Sequence, residues 1–267
     1  MLSNFSKEHE IYIKGIKRRR RMIFLSQISL LLVGIVLWEL ASRSGLIDSF
    51  LVSSPSVIFK LFRDYLLDHN LIHHIGVSSG ETIAGFVLGT LMGIIIAILL
   101  WWSDFLRKVM DPYLVILNSL PKTALAPIFI ILFGAGYKGI IATAISISIV
   151  VTIMNMLSSF MSVEEDKIKL LKTFGASKLQ ILEKVIIPAS IPDLVSTLKV
   201  NIGLAWVGVI VGEFLVSKAG LGYLIVYGMQ VFRMDLVMMN VVVLSIISVF
   251  MYKIISLFEK KITKNNK

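Results

Sequence analysis

The chain has 267 residues, 56% hydrophobic and 16% charged, with a net charge of +10 and no cysteine. Its mean hydropathy is +0.85. A soluble domain carries nearer a quarter charged residues, so the composition excludes an ordinary soluble enzyme or binding module. The missing cysteine excludes a disulfide framework and any thiolate metal site.

In chain order, residues 1–21 form a basic segment ending in Arg18, Arg19, Arg20 and Arg21, and an apolar stretch follows over 22–42. Crossing a hydrocarbon core takes about 20 mostly apolar residues in a helix. A signal peptide has an apolar core of only about 7–15 residues, so 22–42 reads as a retained first helix. Residues 55–68 mix Val57, Ile58, Leu61, Phe62, Tyr65 and Leu66 with Lys60, Arg63 and Asp64 at helical spacing. That pattern predicts an amphipathic helix on the outer surface.

The second span, 79–102, carries Gly85, Gly89 and Gly93, and the fifth repeats the spacing at Gly208 and Gly212. Such rows let helix backbones approach closely in lipid. They support a compact bundle and are compatible with a dimer. The third span, 112–137, is interrupted: Pro121 and Pro127 flank Lys122–Ala126. Proline removes a helical hydrogen bond, and a broken helix at membrane depth needs a protein or cavity neighbour. Leu120, Pro121, Lys122 and Ala126 are therefore candidates for the edge of a translocation path, a proline-kinked packing helix being the alternative. A literal G-x-G-x-x-G at Gly134, Gly136 and Gly139 joins this span to the fourth, 139–160. A dinucleotide site needs a preceding strand and an acid about 20 residues on. Position 159 is serine, so a tight turn is expected.

After the loop 161–192 come a span at 194–216, a second surface helix at 222–232 and a last span at 235–258, with a basic tail over 259–267. The expected fold is all-α, with about six transmembrane helices forming one domain over 22–258. With the N-terminus cytoplasmic, 19 of the 27 lysines and arginines fall inside and 6 outside, with Lys122 and Lys199 at membrane depth. The positive-inside rule then places both termini in the cytoplasm. The basic excess reads as a topology signal and an anionic-lipid contact, not a nucleic-acid footprint.

Glu39, Glu81, Lys122, Lys199 and Glu213 are charges at membrane depth. Each is costly unless paired or hydrated. Lys199 and Glu81 are expected to reach water at span ends, Glu213 to lie near the outer end of its span, paired with Lys218 or facing a partner, and Lys122 to face the path. Of His69, His73 and His74, the first two lie one helical turn apart with no obvious third ligand, and no metal, catalytic group or cofactor is expected. The P-loop pattern G-x-x-x-x-G-K-[ST] is absent, so ATP hydrolysis would belong to another chain.

The most specific stretch is 161–192. Glu164, Glu165 and Asp166 open a polar helix, Gly175 breaks it, a second short helix follows, and Pro188 and Pro192 precede the next span. Acids suit a helix start and glycine a left-handed C-cap. Leu170, Leu171 and Phe174 give this loop an apolar edge suited to docking on a cytoplasmic partner.

Gly175, Ala176, Ser177, Ile186 and Pro188 resemble the coupling loop of ABC importer permeases, where Glu-Ala-Ala precedes a glycine and Ile-x-Leu-Pro follows. The Glu-Ala-Ala positions hold Lys169, Leu170 and Leu171, so the glutamate is missing, with Glu165 or Asp166 one turn earlier. Trp38-Glu39-Leu40, Leu120-Pro121-Lys122, Ala126-Pro127, Gly212-Glu213 and Gly220-Leu221-Gly222-Tyr223-Leu224-Ile225 are similar to the nitrate/sulfonate/taurine-type branch. The resemblance implies a MetI-like permease fold and a second permease subunit, as a homodimer. It also implies two ATPase subunits, an extracellular substrate-binding protein, and coupling through 161–192. The implied substrate is a small anion or vitamin precursor: a sulfonate, taurine, nitrate or a thiamine precursor. A secondary transporter or channel is the other class, but such carriers usually show an internal repeat, and none is visible.

Overall fold

A computed structural model describes residues 7–68 and 70–265, and every regular element within them is a helix. His69 of the histidine group and Lys267 of the basic tail lie outside the described residues. Five helices are long and apolar enough to cross a membrane, and a sixth crossing follows if one sharply bent pair counts as a span.

α1 runs Lys7–Arg43, α4 Asn70–Trp102, α7 Tyr137–Met161, α10 Ile187–Val216 and α12 Met234–Asn265. Several of these outrun the apolar stretches that signalled them. Hydropathy marks the part that needs lipid, whereas helical hydrogen bonding continues into water at no penalty. The expected boundaries at residues 22 and 258 therefore fall inside continuous helices. The third span also departs from expectation. Its first half, α5 (Asp104–Ser119), starts where the Ser103 hydroxyl accepts the Leu106 N–H at 3.2 Å, eight residues before 112, and carries Pro112 inside it. Pro188 and Pro192 belong to α10 rather than preceding it. Pro188 sits in the first turn of α10, directly after the π turn at Leu182–Ile186 that joins it to the short α9 (Lys178–Ile181).

The bundle is organised around α7, which packs against α4 on one side and α10 on the other. The glycine rows are what allow it. A β-carbon on Gly85, Gly89 or Gly93 would stand 2.6, 2.4 or 2.5 Å from Ala144, Ser148 or Thr152 of α7, and one on Gly208 would meet the Ala144 backbone at 2.4 Å. The rows thus serve contacts within the subunit. Where the three helices meet, Asn201 Nδ2 donates to Thr90 Oγ1 at 2.9 Å and Thr152 Oγ1 at 2.8 Å.

The amphipathic segment forms α3 (Pro55–Leu67), capped by Ser54, and packs on α12 through its apolar face. Glu39 of α1 accepts from Ser56 N (3.0 Å) and Ser56 Oγ (2.8 Å) at the α3 start, and from Arg43 Nε (2.7 Å). Apart from that tether, Trp38 packed on the cluster around Ile58 and Met239, and the short α2 (Ser49–Val52), α1 stands clear of the bundle, exposing Leu30, Leu31 and Leu37. Lys199 reaches Glu259 of α12 at 2.5 Å. The second expected surface helix is different. α11 (Leu221–Gln230) is wedged between α10 and α12 with Leu221, Leu224 and Ile225 buried, because its start is held by side chains of α4 and α10.

Candidate functional site

The loop 161–192 folds as two short helices on one end of the bundle. α8 spans Glu165–Thr173 with Glu165 and Asp166 in its first turn. It ends in a Schellman arrangement: Ala176 N donates to Leu171 O and Gly175 N to Lys172 O, both at 3.0 Å, with Gly175 at φ +75°. Ser177 then opens α9 with a capping box. Its hydroxyl accepts from Gln180 N at 3.3 Å, and Gln180 Oε1 accepts from Ser177 N at 2.7 Å. Both ends of the break are satisfied internally, so the turn is rigid.

The two faces of this hairpin are unlike. Ile168, Leu171 and Ala176 pack onto the cluster of Leu100, Leu157, Phe160 and Ile181 that closes the ends of α4 and α7. Leu170 and Phe174 point away, 58% and 79% exposed. Lys169, which stands where the related loops carry glutamate, pairs with Glu165 at 3.1 Å and Asp166 at 3.6 Å. Exposed pairs of this kind add about 0–1 kcal/mol, so they organise the charge without locking it. Pro188 lies exposed just beyond.

One contact in this region has no signal in the local sequence. Lys178 Nζ donates to Trp102 O at 2.5 Å and lies 5.5 Å from the ring centres of both Trp101 and Trp102. The ammonium meets unpaired carbonyl density at the C-terminus of α4 and two aromatic faces. It ties the hairpin to a span 76 residues away in sequence. A lysine beside a helix break and a Trp pair ending an apolar run are each ordinary, and only the fold joins them.

The interrupted span bends by 91° between α5 and the segment Lys122–Phe133, which opens with a 3-10 turn, Lys122–Leu125, and continues as α6 (Ala126–Phe133). Leu120 and Pro121 form the exposed corner, and Ala126 is buried beyond it. Lys122 is half-buried, with Nζ donating to Asn118 O at 3.0 Å and Asn118 Oδ1 at 3.3 Å, where it caps the end of α5. It also borders an apolar groove of about 690 Å³ between α4, α6 and α7, lined by Met92, Phe129 and Ile145 among others.

Glu213 stands elsewhere. It is 1% exposed and turned into the protein rather than toward Lys218 or an outer partner. Ser78 Oγ donates to its Oε1, and Gly222 N to its Oε2, each at 2.6 Å. Leu221 N donates to Ser78 Oγ at 2.7 Å, and Gly220 N to His74 Nδ1 at 2.9 Å. A helix start leaves its first N–H groups unpaired. Here three consecutive ones, from Gly220 to Gly222, are satisfied by three side chains of α4 and α10. Glu81, expected near water, is instead 3% exposed, buried beside Glu213 with its Oε2 lacking a hydrogen-bond partner. His74 is thus a helix cap stacked on Tyr223. Gly220 and Gly222 leave room for the Glu213 carboxylate, whereas Gly212 lies against Ile140 of α7.

A helical membrane bundle with a broken span and a braced helical hairpin presented at one end is the architecture of a transport permease. The chain belongs to the family of binding-protein-dependent transport system inner membrane components, whose pattern matches residues 89–264. It is similar to SsuC of Bacillus subtilis (strain 168), a permease named for aliphatic sulfonates transport, at 25% identity over 246 residues, 92% of this chain and 89% of that one. It is also similar to the formylaminopyrimidine transport permease protein ThiX of Halalkalibacterium halodurans, at 28% identity over 188 residues, 70% of this chain and 74% of that one. Among solved structures, a chain of the bacterial alginate ABC transporter in complex with alginate pentasaccharide-bound periplasmic protein superposes with a TM-score of 0.65 at 15% identity, covering 94% of this chain and 98% of that chain. The protein is a permease subunit of an ABC importer, set in the inner membrane, and the channel and secondary-carrier readings fall away.

Proposed function

We propose that this permease pairs with a second copy of itself, and that each copy docks on one of two separate ATPase subunits through α8 and α9. The observation that carries the reading is the two-faced hairpin: Leu171 and Ala176 seated on the bundle, Leu170 and Phe174 presented outward. Glu165, Lys169, Gly175, Ser177 and Pro188 complete the docking surface. A rigid, internally capped element transmits a rigid-body push, and Lys178 relays it to α4. Hydrolysis of ATP takes place in the partner chains; nucleotide binding there closes them and tilts the bundle from inward-open to outward-open.

The N- and C-termini and the hairpin lie in the cytoplasm, supported by the lysine and arginine distribution. The opposite end receives cargo from an extracellular substrate-binding protein. Leu120, Pro121, Lys122 and Ala126 border the path at the bend between α5 and α6, while Glu213 supports it from inside by holding α11. Lipid covers the exposed apolar faces, α1 above all. The cargo belongs to the sulfonate, taurine, nitrate or thiamine-precursor group, which the relatives named for aliphatic sulfonates and for formylaminopyrimidine support.

Affinity purification of the tagged protein from native membranes, followed by mass spectrometry, tests this assembly. Recovery of an ATPase and a binding protein is expected, and ligand extracted from the latter names the cargo. A stable permease that brings no ATPase with it refutes the docking role of α8 and α9.

A further inference from the structure

A helix facing lipid presents apolar side chains outward, but one face here does the opposite. The second half of α7 and the first turns of α10 enclose a cleft of about 300 Å³. Asn155, Ser159 and Ser162 line one wall, and Asp193, Ser196 and Thr197 the other. Ser159 and Thr197 are buried, while Asn155, Asp193 and Ser196 are exposed at the surface of the subunit. Ser159 Oγ donates to Asp193 Oδ2 at 2.6 Å and holds the carboxylate at the cleft wall. A carboxylate and an amide against hydrocarbon would cost several kcal/mol, so this face meets water or protein instead of lipid tails. Asp193 lies six residues into α10, about 9 Å along its axis from the helix start, on the side of the bundle that carries the hairpin.

The chemistry of the lining is one-sided. It offers five hydroxyl groups, an amide and a carboxylate, and no lysine or arginine stands among the lining residues. An anion entering this cleft finds no counter-charge and faces Asp193. A molecule with an amine group donates to the carboxylate while its acceptors take the serine and threonine hydroxyls. The volume admits a short-chain or single-ring compound and little more.

We propose that the α7–α10 cleft contacts the transported molecule near the cytoplasmic mouth, and that it selects an amine-bearing cargo over a bare oxyanion. The proposal rests on the importer reading above and narrows it. Taurine and a thiamine precursor of the aminopyrimidine kind carry the required amine; nitrate and sulfonates without an amine do not.

The native chain has no cysteine, so single-cysteine variants report one position each. Ser196→Cys and, separately, Asn155→Cys would be made in the full chain in membrane vesicles. Each would be labelled with cationic methanethiosulfonate ethyltrimethylammonium and with anionic methanethiosulfonate ethylsulfonate, every rate divided by that of the same reagent with a free thiol. The cationic reagent is expected to react faster by about tenfold or more at both positions, the size of effect a focused local field produces. Adding Asp193→Asn should bring the ratio close to one. Equal or anion-favouring rates overturn the proposal, as does a ratio that Asp193→Asn leaves unchanged. Spontaneous cross-linking of two copies through Ser196→Cys, with neither reagent reaching either position, overturns it too, because a second subunit then fills the cleft. Recovery of the ATPase with the tagged chain is measured separately, so loss of the charge preference with the ATPase present removes the cargo assignment alone.

Discussion

Two glycines in the same backbone region allow the Glu213 network to be weighed. Gly220 holds φ +116° and ψ 170°, and Gly134 φ +92° and ψ 150°. Alanine at either position is strained by roughly 1–3 kcal/mol. The surroundings differ. A β-carbon on Gly220 would lie 2.4 Å from the Glu213 carboxylate carbon and both its oxygens, whereas nothing lies within 4 Å of one on Gly134. Gly220→Ala must therefore push Glu213 off Ser78 and Gly222, two hydrogen bonds of 2.6 Å. At about 1–3 kcal/mol for each buried partner left unmade, the added loss is about 2–6 kcal/mol. Thermal unfolding of the purified protein in detergent, followed by tryptophan fluorescence, should place Gly220→Ala below Gly134→Ala. The gap should be at least about 4 °C, at roughly 2–4 °C per kcal/mol for a chain of this size. In a Glu213→Ala background the gap should close to near zero, because the backbone strain is common to both variants and cancels. Equal melting of the two single variants would refute the claim that Glu213 occupies the space a side chain at 220 needs.

Other perturbations probe the hairpin, the core and the orientation. Gly175→Val, strained by about 1–2 kcal/mol in the left-handed region, should lower uptake at least several-fold at a normal membrane level; intact uptake would show that the angle between α8 and α9 is not used. Lys178→Met removes the hydrogen bond to Trp102 and both ring contacts, a link of about 1–3 kcal/mol. Binding-protein-stimulated ATPase activity of the reconstituted complex should fall roughly tenfold while basal activity persists, and unchanged stimulation counts against the relay. Gly89→Val forces a β-carbon to within 2.4 Å of Ser148 Oγ, and overpacking of this kind costs about 1–3 kcal/mol or more. The yield of monodisperse protein should drop relative to Gly203→Val, which meets open space. Ser177→Cys should react with an impermeant thiol reagent only from the cytoplasmic side, and labelling from outside would invert the topology.

The spans were legible because lipid imposes a length and an apolarity that composition displays directly. Their ends were less so. The helix from Lys7 to Arg43 crosses from four arginines into apolar sequence with no change in backbone, and no hydropathy argument sees through that boundary. The Schellman turn at Gly175 and the cap at Ser177 are local, and their residues announced them. Pro188 was misleading for an equally local reason, since proline marks both a helix break and a helix first turn. The contacts that brace the machine were invisible: Lys178 with Trp102, and Glu213 with Ser78, are 76 and 135 residues apart. Each residue is unremarkable in its own neighbourhood. From sequence Glu213 has only Lys218 or an outer partner to meet, because Ser78, whose hydroxyl donates to it inside the bundle, is 135 residues away.

The π turn at Leu182–Ile186 adds one more property to the column that runs from Lys178 to Val216. A π turn is one residue wider than the α-helical turn it replaces, so it stores a single surplus residue. Removing one residue elsewhere in α10 would swing everything downstream by about 100° and carry Asn201 away from Thr90 and Thr152. Removing one from the π turn would let it relax to ordinary α-helix with the downstream faces still in phase. This stretch is a splice point, where the chain can shorten by one residue while the membrane half of the column keeps its registry with α4 and α7.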